Sequence, residues 1–203
     1  MEDKKSIFAV IKTDAEKTEI IMGNILKMLG NRMYIDKTGE KKPLINPSKT
    51  QIQDRGDGIF TLKSNNGDEY AIKLIMYRIS STGKQSDISE FFKNYAQQKK
   101  IVVARGFNNK IADYMSKHRT QIFEEGTLLQ DIISYCEQPQ FELLSPAEMA
   151  LVKTEYNATD YTIKKILRSD PIVKYYALRK GDIIRIVRAS PTSGLAIDYR
   201  IVM

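Results

Sequence analysis

The chain has 203 residues, a net charge of +7, 42% hydrophobic and 28% charged residues, enough for one large or two small domains with a core in each. A single cysteine, Cys136, and a single histidine, His118, exclude a disulfide framework and a Cys/His zinc site and suit a reducing compartment. The longest apolar run, Ile7 to Ile11, is far short of a bilayer span, and the N-terminus lacks the apolar core and cleavage site of a secretory signal, so an intracellular protein is expected.

The basic excess is spread along the chain. Residues 1–138 hold 22 basic against 18 acidic side chains, and residues 139–203 hold 10 against 7. The densest stretch runs from Lys164 to Arg188, with eight basic residues against Asp170 and Asp182. Such a surface attracts phosphates or an acidic partner at long range, although charge alone reads more readily as a solvated face than as a nucleic-acid site.

Taken in chain order, the first helix is expected over Asp14–Leu29. Thr13-Asp14-Ala15-Glu16 forms a capping box, Ile21, Ile25 and Met28 follow at helical spacing, and Gly30 supplies a left-handed stop. The polar stretch 36–58, with two prolines and three glycines, reads as a loop or insertion. Strands are expected at Ile59–Lys63 and Glu69–Ile79, joined through Asn65-Asn66-Gly67. A helix over Asp87–Gln98, capped by Ser86, presents Ile88, Phe91, Phe92 and Tyr95 on one face. The strand Ile101–Ala104 then leads through the loop Arg105-Gly106-Phe107-Asn108-Asn109 into a helix over Lys110–Lys117. Gln121–Glu125 reads as a strand, and Leu128–Tyr135 is open between helix and strand.

After Pro139 the signals sharpen. Ser145-Pro146-Ala147-Glu148 is a capping box with proline at the first helical position, and Met149, Val152 and Tyr156 line one face of the helix it starts. A second short helix opens at Asp170-Pro171 and ends before Gly181. Two strands follow, Ile183–Arg188 and Leu195–Val202, the latter with Leu195, Ile197, Tyr199 and Ile201 on its apolar face. The expected fold is an α/β N-terminal domain with a mixed sheet, residues 1–134, and a small α+β C-terminal domain, residues 135–203.

Catalytic constellations are missing. No phosphate-cradling glycine motif is present, and no second histidine supports a triad. His118 reads as an exposed helix-end residue, and Cys136 as a buried or half-buried small side chain. The Glu-x-Lys triplet Glu40-Lys41-Lys42 lies in the Gly/Pro-rich stretch, where a rigid metal-nuclease site is not expected. The residues imply no cofactor, no metal and no membrane partner. A free-standing basic DNA-binding module, and more remotely a metal-dependent nuclease, stay open as alternatives to a non-catalytic role.

The run from Asp170 to Arg188, DPIVKYYALRKGDIIRIVR, followed by Ser190-Pro191-Thr192-Ser193-Gly194 and Tyr199-Arg200-Ile201-Val202, resembles the C-terminal signature of the fifth subunit shared by the eukaryotic nuclear RNA polymerases. The small archaeal counterpart of that subunit is similar to this part alone. Glu19–Tyr34 and Ile101-Val102-Val103 with Gly106 resemble the first helix and a strand and loop of the family's N-terminal domain. The chain departs from the family pattern at Ala189, Pro191, Leu195 and the connection before Ile163. With the unusual 36–58 stretch, it resembles versions encoded by large cytoplasmic DNA viruses of the African swine fever type.

The resemblance implies an N-terminal jaw domain near downstream double-stranded DNA and a C-terminal assembly domain bound to the largest polymerase subunit, among other polymerase subunits. It implies no catalytic residues, and residence in host cytoplasm and virion for a viral protein or in the nucleus for a cellular one. On it rest a DNA-proximal set, Arg105, Gly106, Asn108, Asn109 and Lys110, and a subunit-interface set, Lys174, Arg179, Lys180, Arg185, Arg188 and Arg200. Of these, Arg188 and Arg200 are singled out because a strand fixes the guanidinium for bidentate pairing. The C-terminal domain is expected to fold alone and to suffice for incorporation into the polymerase.

Overall fold

The computed structural model describes residues 12–36, 39–80 and 87–203; the Ile7–Ile11 run and the Ser86 cap lie outside them. The chain forms two compact units. The first comprises residues 1–27 and 48–130, and the second residues 28–47 and 131–203. Among the described residues no helix is long and apolar enough to cross a membrane.

Helix α1 (Asp14–Asn31) starts where the capping box puts it. The Thr13 amide donates to Glu16 Oε2 at 2.8 Å and the Glu16 amide donates to Thr13 Oγ1 at 3.3 Å. It does not stop at Gly30, which stays helical instead of adopting the left-handed conformation expected of it. Gly30 is needed for a different reason: a Cβ there would lie 2.7 Å from Cγ of Pro47. The first fourteen residues of α1 count with the first unit and its last turn with the second.

The first unit is a mixed five-stranded sheet. Its strands are β3 (Ile52–Asp54), β4 (Ile59–Lys63), β5 (Glu69–Arg78), β6 (Lys99–Gly106) and β7 (Thr120–Glu124), ordered as numbered. The first three pair antiparallel through short turns, whereas β5, β6 and β7 run parallel. Parallel pairing needs crossovers, supplied by α2 (Asp87–Asn94) and α3 (Asn109–Lys117). Ile88, Phe91, Ile111 and Met115 from these helices bury against Ala71, Ile75, Val102 and Ala104 of the sheet. Helix α2 ends four residues before the expected Gln98, and Lys100 Nζ binds its trailing carbonyls, those of Tyr95, Ala96 and Gln98, at 3.1–3.4 Å. Helix α4 (Glu125–Leu129) resolves part of the 128–135 ambiguity as helix; the rest is turns.

In the second unit, strands β8 (Gln140–Leu143), β9 (Lys164–Ile166), β10 (Ile183–Ser190) and β11 (Gly194–Val202) form a sheet in the order β8-β10-β11-β9, with only β9 parallel to its neighbour. Helix α5 (Pro146–Glu155) carries the full Ser145/Glu148 capping box, and α6 (Pro171–Tyr175) is capped by Asp170, whose carboxylate accepts from the Ile172 amide at 2.8 Å. Each face of the sheet supports a small core, Ile166, Val173, Ile184, Ile186 and Val202 on one and Ile163, Ile183 and Ile201 on the other.

The stretch 36–58 is not simply a loop. Strands β1 (Met33–Ile35) and β2 (Lys41–Pro43) pair antiparallel, Leu44 and Ile45 are buried, and β3 edges the first sheet. Alternation in β11 also misleads. Ile201 is buried, but Leu195 is 66% and Ile197 56% exposed. Cys136 is exposed rather than buried, in the turn closed by the Gln138 amide on the Tyr135 carbonyl.

Candidate nucleic-acid and subunit interfaces

In the first unit, Arg105 and Gly106 are the last residues of β6 and not a loop, and Asn108 is the N-cap of α3, its side chain accepting from the Ile111 amide at 2.9 Å. Asn109 and Lys110 begin that helix, exposed. The five residues therefore meet at one sheet-to-helix junction. Their electrostatics differ. Arg105 is already engaged within the unit, with Nε 3.3 Å from Glu125 Oε2 and a terminal nitrogen 3.6 Å from Asp14. Burial pushes the Glu125 carboxyl up, but Lys17 at 2.9 Å and Arg105 outweigh it and hold its pKa below the ordinary value. Lys110 has no ion pair among the described residues and is the member of the set whose charge is uncommitted.

His118 caps the C-terminal end of α3, exposed as expected, and its ring stacks on Phe92 and lies tilted against Tyr114, with centroids 5.1 and 4.4 Å away.

In the second unit the basic residues separate by sheet face. Directly paired strand residues share a face, so the register puts Arg188 with Ala196 and Arg200 with Ile184 on the face of the Ile184/Ile186 core. Arg185 pairs with Tyr199 on the opposite face and forms an ion pair with Glu142 on β8. Its Nε donates at 2.6 Å, which commits it internally. Arg200 lies 3.7 Å from Asp198, which also receives Lys164 at 2.9 Å. Arg188 is exposed without an ion-pair partner among the described residues, as are Lys174, Arg179 and Lys180 on α6 and the turn after it.

The face that carries Arg185 also carries Val187 opposite Ile197 and Ala189 opposite Leu195. Tyr156, 62% exposed, packs against Tyr199 with tilted rings and centroids 5.5 Å apart. Leu195, Ile197, Tyr156 and Tyr199 thus make an exposed apolar patch, the kind of surface that subunit interfaces bury. The sequence places Leu195 and Ile197 on the apolar face of their strand; their exposure is visible only once it is known that nothing in the unit covers that end of the hairpin.

The residue that sequence reading missed is Arg32. It is 4% exposed, and its Nε donates to the Tyr175 carbonyl at 2.7 Å while a terminal nitrogen donates to the Lys174 carbonyl at 3.1 Å. These are last-turn carbonyls of α6, where a cation is favoured by both hydrogen bonding and the helix dipole. Asn31 Nδ2 donates to the Tyr175 hydroxyl at 2.9 Å. Burial pushes the Tyr175 phenol up to about 12. Lys41 binds both the Leu143 carbonyl at 2.7 Å and the Glu148 carboxylate. Lys41 and Lys42 stand on or beside β2 and not in a loop, and Lys42 pairs with Asp36, so the Glu-x-Lys triplet serves structural ion pairs. Among the described residues no group of three or more His, Cys, Asp or Glu converges on a metal-sized site.

The family model described as "RNA polymerase Rpb5, C-terminal domain" matches residues 130–202. The chain is 51% identical to "DNA-directed RNA polymerase subunit 5" of Acanthamoeba polyphaga mimivirus over 205 aligned positions that cover all of both chains. The chain belongs to the RNA polymerase subunit 5 family. More distant members include "DNA-directed RNA polymerases I, II, and III subunit RPABC1" of Caenorhabditis elegans, 30% identical over 107 residues and 51% of each chain. "DNA-directed RNA polymerase subunit Rpo5" of Methanocaldococcus jannaschii is 32% identical over 65 residues, which are 32% of this chain and 83% of that one. The family resemblance drawn from residues 170–202 is thereby established, and its viral colouring is carried by the mimivirus relative.

Proposed function

We propose that this non-catalytic polymerase subunit anchors to the largest subunit through its second unit and holds its first unit, as a jaw, near downstream DNA. The observation that carries the anchoring half is the apolar patch of Leu195, Ile197, Tyr156 and Tyr199 on the second unit, with the uncommitted Arg188 exposed on the other face of the same hairpin. Exposed apolar surface of this kind is what a lasting interface covers, and such interfaces bury on the order of 2,000 Å² or more. The short archaeal relative supports this division, because 65 matched residues account for 83% of a protein that is itself named a polymerase subunit.

The DNA half rests on the β6–α3 junction, where Asn109 and Lys110 stand exposed at the start of α3. Contacts of this kind position a duplex by its phosphates without reading sequence. Compartment follows the polymerase: host cytoplasm and virion for a viral enzyme, nucleus for a cellular one.

Affinity purification of the tagged full chain tests the anchor. Ile197→Asp with Leu195→Asp, and separately Arg188→Glu with Arg200→Glu, are expected to lose the largest subunit while the purified variants keep the wild-type circular dichroism spectrum. Retention of the largest subunit by both pairs would move the anchor elsewhere.

A further inference from the structure

In the first unit, the β5 residues Ala71, Lys73 and Ile75 alternate onto the sheet face that α2 and α3 cover. Beside α2 that face opens into a cleft of about 640 Å³, lined by Ile59, Lys73 and Phe91 and by the carboxylates Asp57, Asp87 and Glu90. Lys73 is 8% exposed. Its ammonium has no hydrogen bond or ion pair among the described residues; its one recorded neighbour of opposite character is the Phe91 ring, 6.0 Å from Nζ to centroid. Lys100, two strand positions earlier on the neighbouring strand and 6% exposed, shows what burial of a lysine on this face otherwise involves: three carbonyls within 3.4 Å. Lys73 has none of those partners, and its ammonium is left to the solvent of the cleft.

The acidic groups of the cleft are equally uncommitted. Asp57 and Glu90 have no cationic partner among the described residues, and Asp87 receives only the Tyr77 hydroxyl at 3.2 Å. The cleft therefore presents a positive floor and an exposed negative mouth, solvated but without opposite-charge partners among the described residues. An anion alone, such as a nucleic-acid phosphate, meets three carboxylates before it reaches Lys73. A cation alone leaves Lys73 unpaired. An occupant that satisfies both carries an acidic group between basic ones.

We propose that this cleft docks a partner polypeptide through a mixed-charge segment, one acidic side chain reaching Lys73 while flanking lysine or arginine side chains pair with Asp57, Asp87 and Glu90. The site is separate from the β6–α3 junction and from the second unit, so it adds a protein-binding role to the jaw.

The test uses the full chain and end-blocked fluorescent peptides read by anisotropy at low salt. Gly-Lys-Glu-Lys-Gly is expected to bind about tenfold more tightly than Gly-Lys-Gln-Lys-Gly or Gly-Ala-Glu-Ala-Gly, the scale of one charge-assisted hydrogen bond. Lys73→Met keeps the apolar stem and should abolish the preference for Glu over Gln. Glu90→Gln, at an exposed position, should reduce the preference for flanking lysines. In wild-type chain labelled at lysine side chains, the Lys73 resonance should move with the Glu peptide and not with the Gln peptide, a reading independent of whether Lys73→Met folds. Equal affinity for the Glu and Gln peptides, no binding at millimolar peptide, or displacement of the peptide by duplex DNA would overturn the proposal.

Discussion

At the residue scale, buried or half-buried charges tie segment 28–47 to the rest of the second unit. Glu148 takes part in two of these arrangements at once, the capping box of α5 and the pair with Lys41. The Lys41 ammonium and the Ser145 amide hold its carboxyl far below the ordinary 4.5, at about 2. A depressed carboxylate contributes stability that is complete above its unfolded pKa and is lost as pH falls through the folded one. The second unit should accordingly lose stability between about pH 4.5 and 2. Because the Glu148 side chain is 46% exposed, solvent screening limits this to at most about 1 kcal/mol. Denaturant melts of wild type and Glu148→Gln across that range should converge as pH falls; a constant gap would remove the pair from the acid response. Neither Arg32 nor Lys41 was legible in the sequence as anything but a polar residue, because the carbonyls they bind lie more than a hundred positions away.

Elements with local signals were readable. The capping boxes at Thr13 and Ser145, the proline after Asp170 and the β4–β5 hairpin all form where residue spacing put them. Elements whose burial is decided by distant partners were not. β2 reads Lys-Lys-Pro, fully exposed, and gives no apolar pattern; β9 is two lysines and an isoleucine. The Arg105–Asn109 stretch reads as a loop because Gly and Asn favour turns, yet β6 runs through Gly106 and Asn108 serves as a cap. That correction changes the DNA expectation at this junction. With Arg105 committed to Glu125 and Asp14, the proposed phosphate contact falls to Lys110. In the assembled elongation complex, Lys110→Ala should lower the slope of log affinity against log salt by about 0.9, the value of one released counterion, and Arg105→Ala should act mainly on the stability of the first unit. An unchanged slope for Lys110→Ala would remove the junction from DNA contact.

For the whole molecule, the division into units matters more than the boundary in sequence. A single cut at 134 separates residues 28–47 from the unit they pack in, with buried Leu44, Ile45 and Arg32. The expectation that 135–203 is self-sufficient needs amending accordingly: residues 131–203 alone should melt well below the same fragment mixed with a peptide of residues 28–47, by mass action of binding to the folded form. A peptide with Arg32→Met should bind at least tenfold more weakly, because two buried helix-end carbonyls lose a charged donor. Equal melting with and without peptide would show that the segment is dispensable. The apolar pattern of 183–202 was legible, but which side chains face solvent depends on what covers each sheet face, and periodicity carries no such information.

The central claim is that the second unit is the anchor. Cross-linking mass spectrometry on the intact polymerase, with a lysine-reactive linker, tests it most directly. Lys164, Lys174 and Lys180, all exposed on the second unit, should yield the links to the largest subunit that dominate the map, and Ile197→Asp should abolish them together with incorporation. Links to the largest subunit concentrated on Lys49, Lys63 and Lys93 of the first unit, with none from the second, would contradict the account.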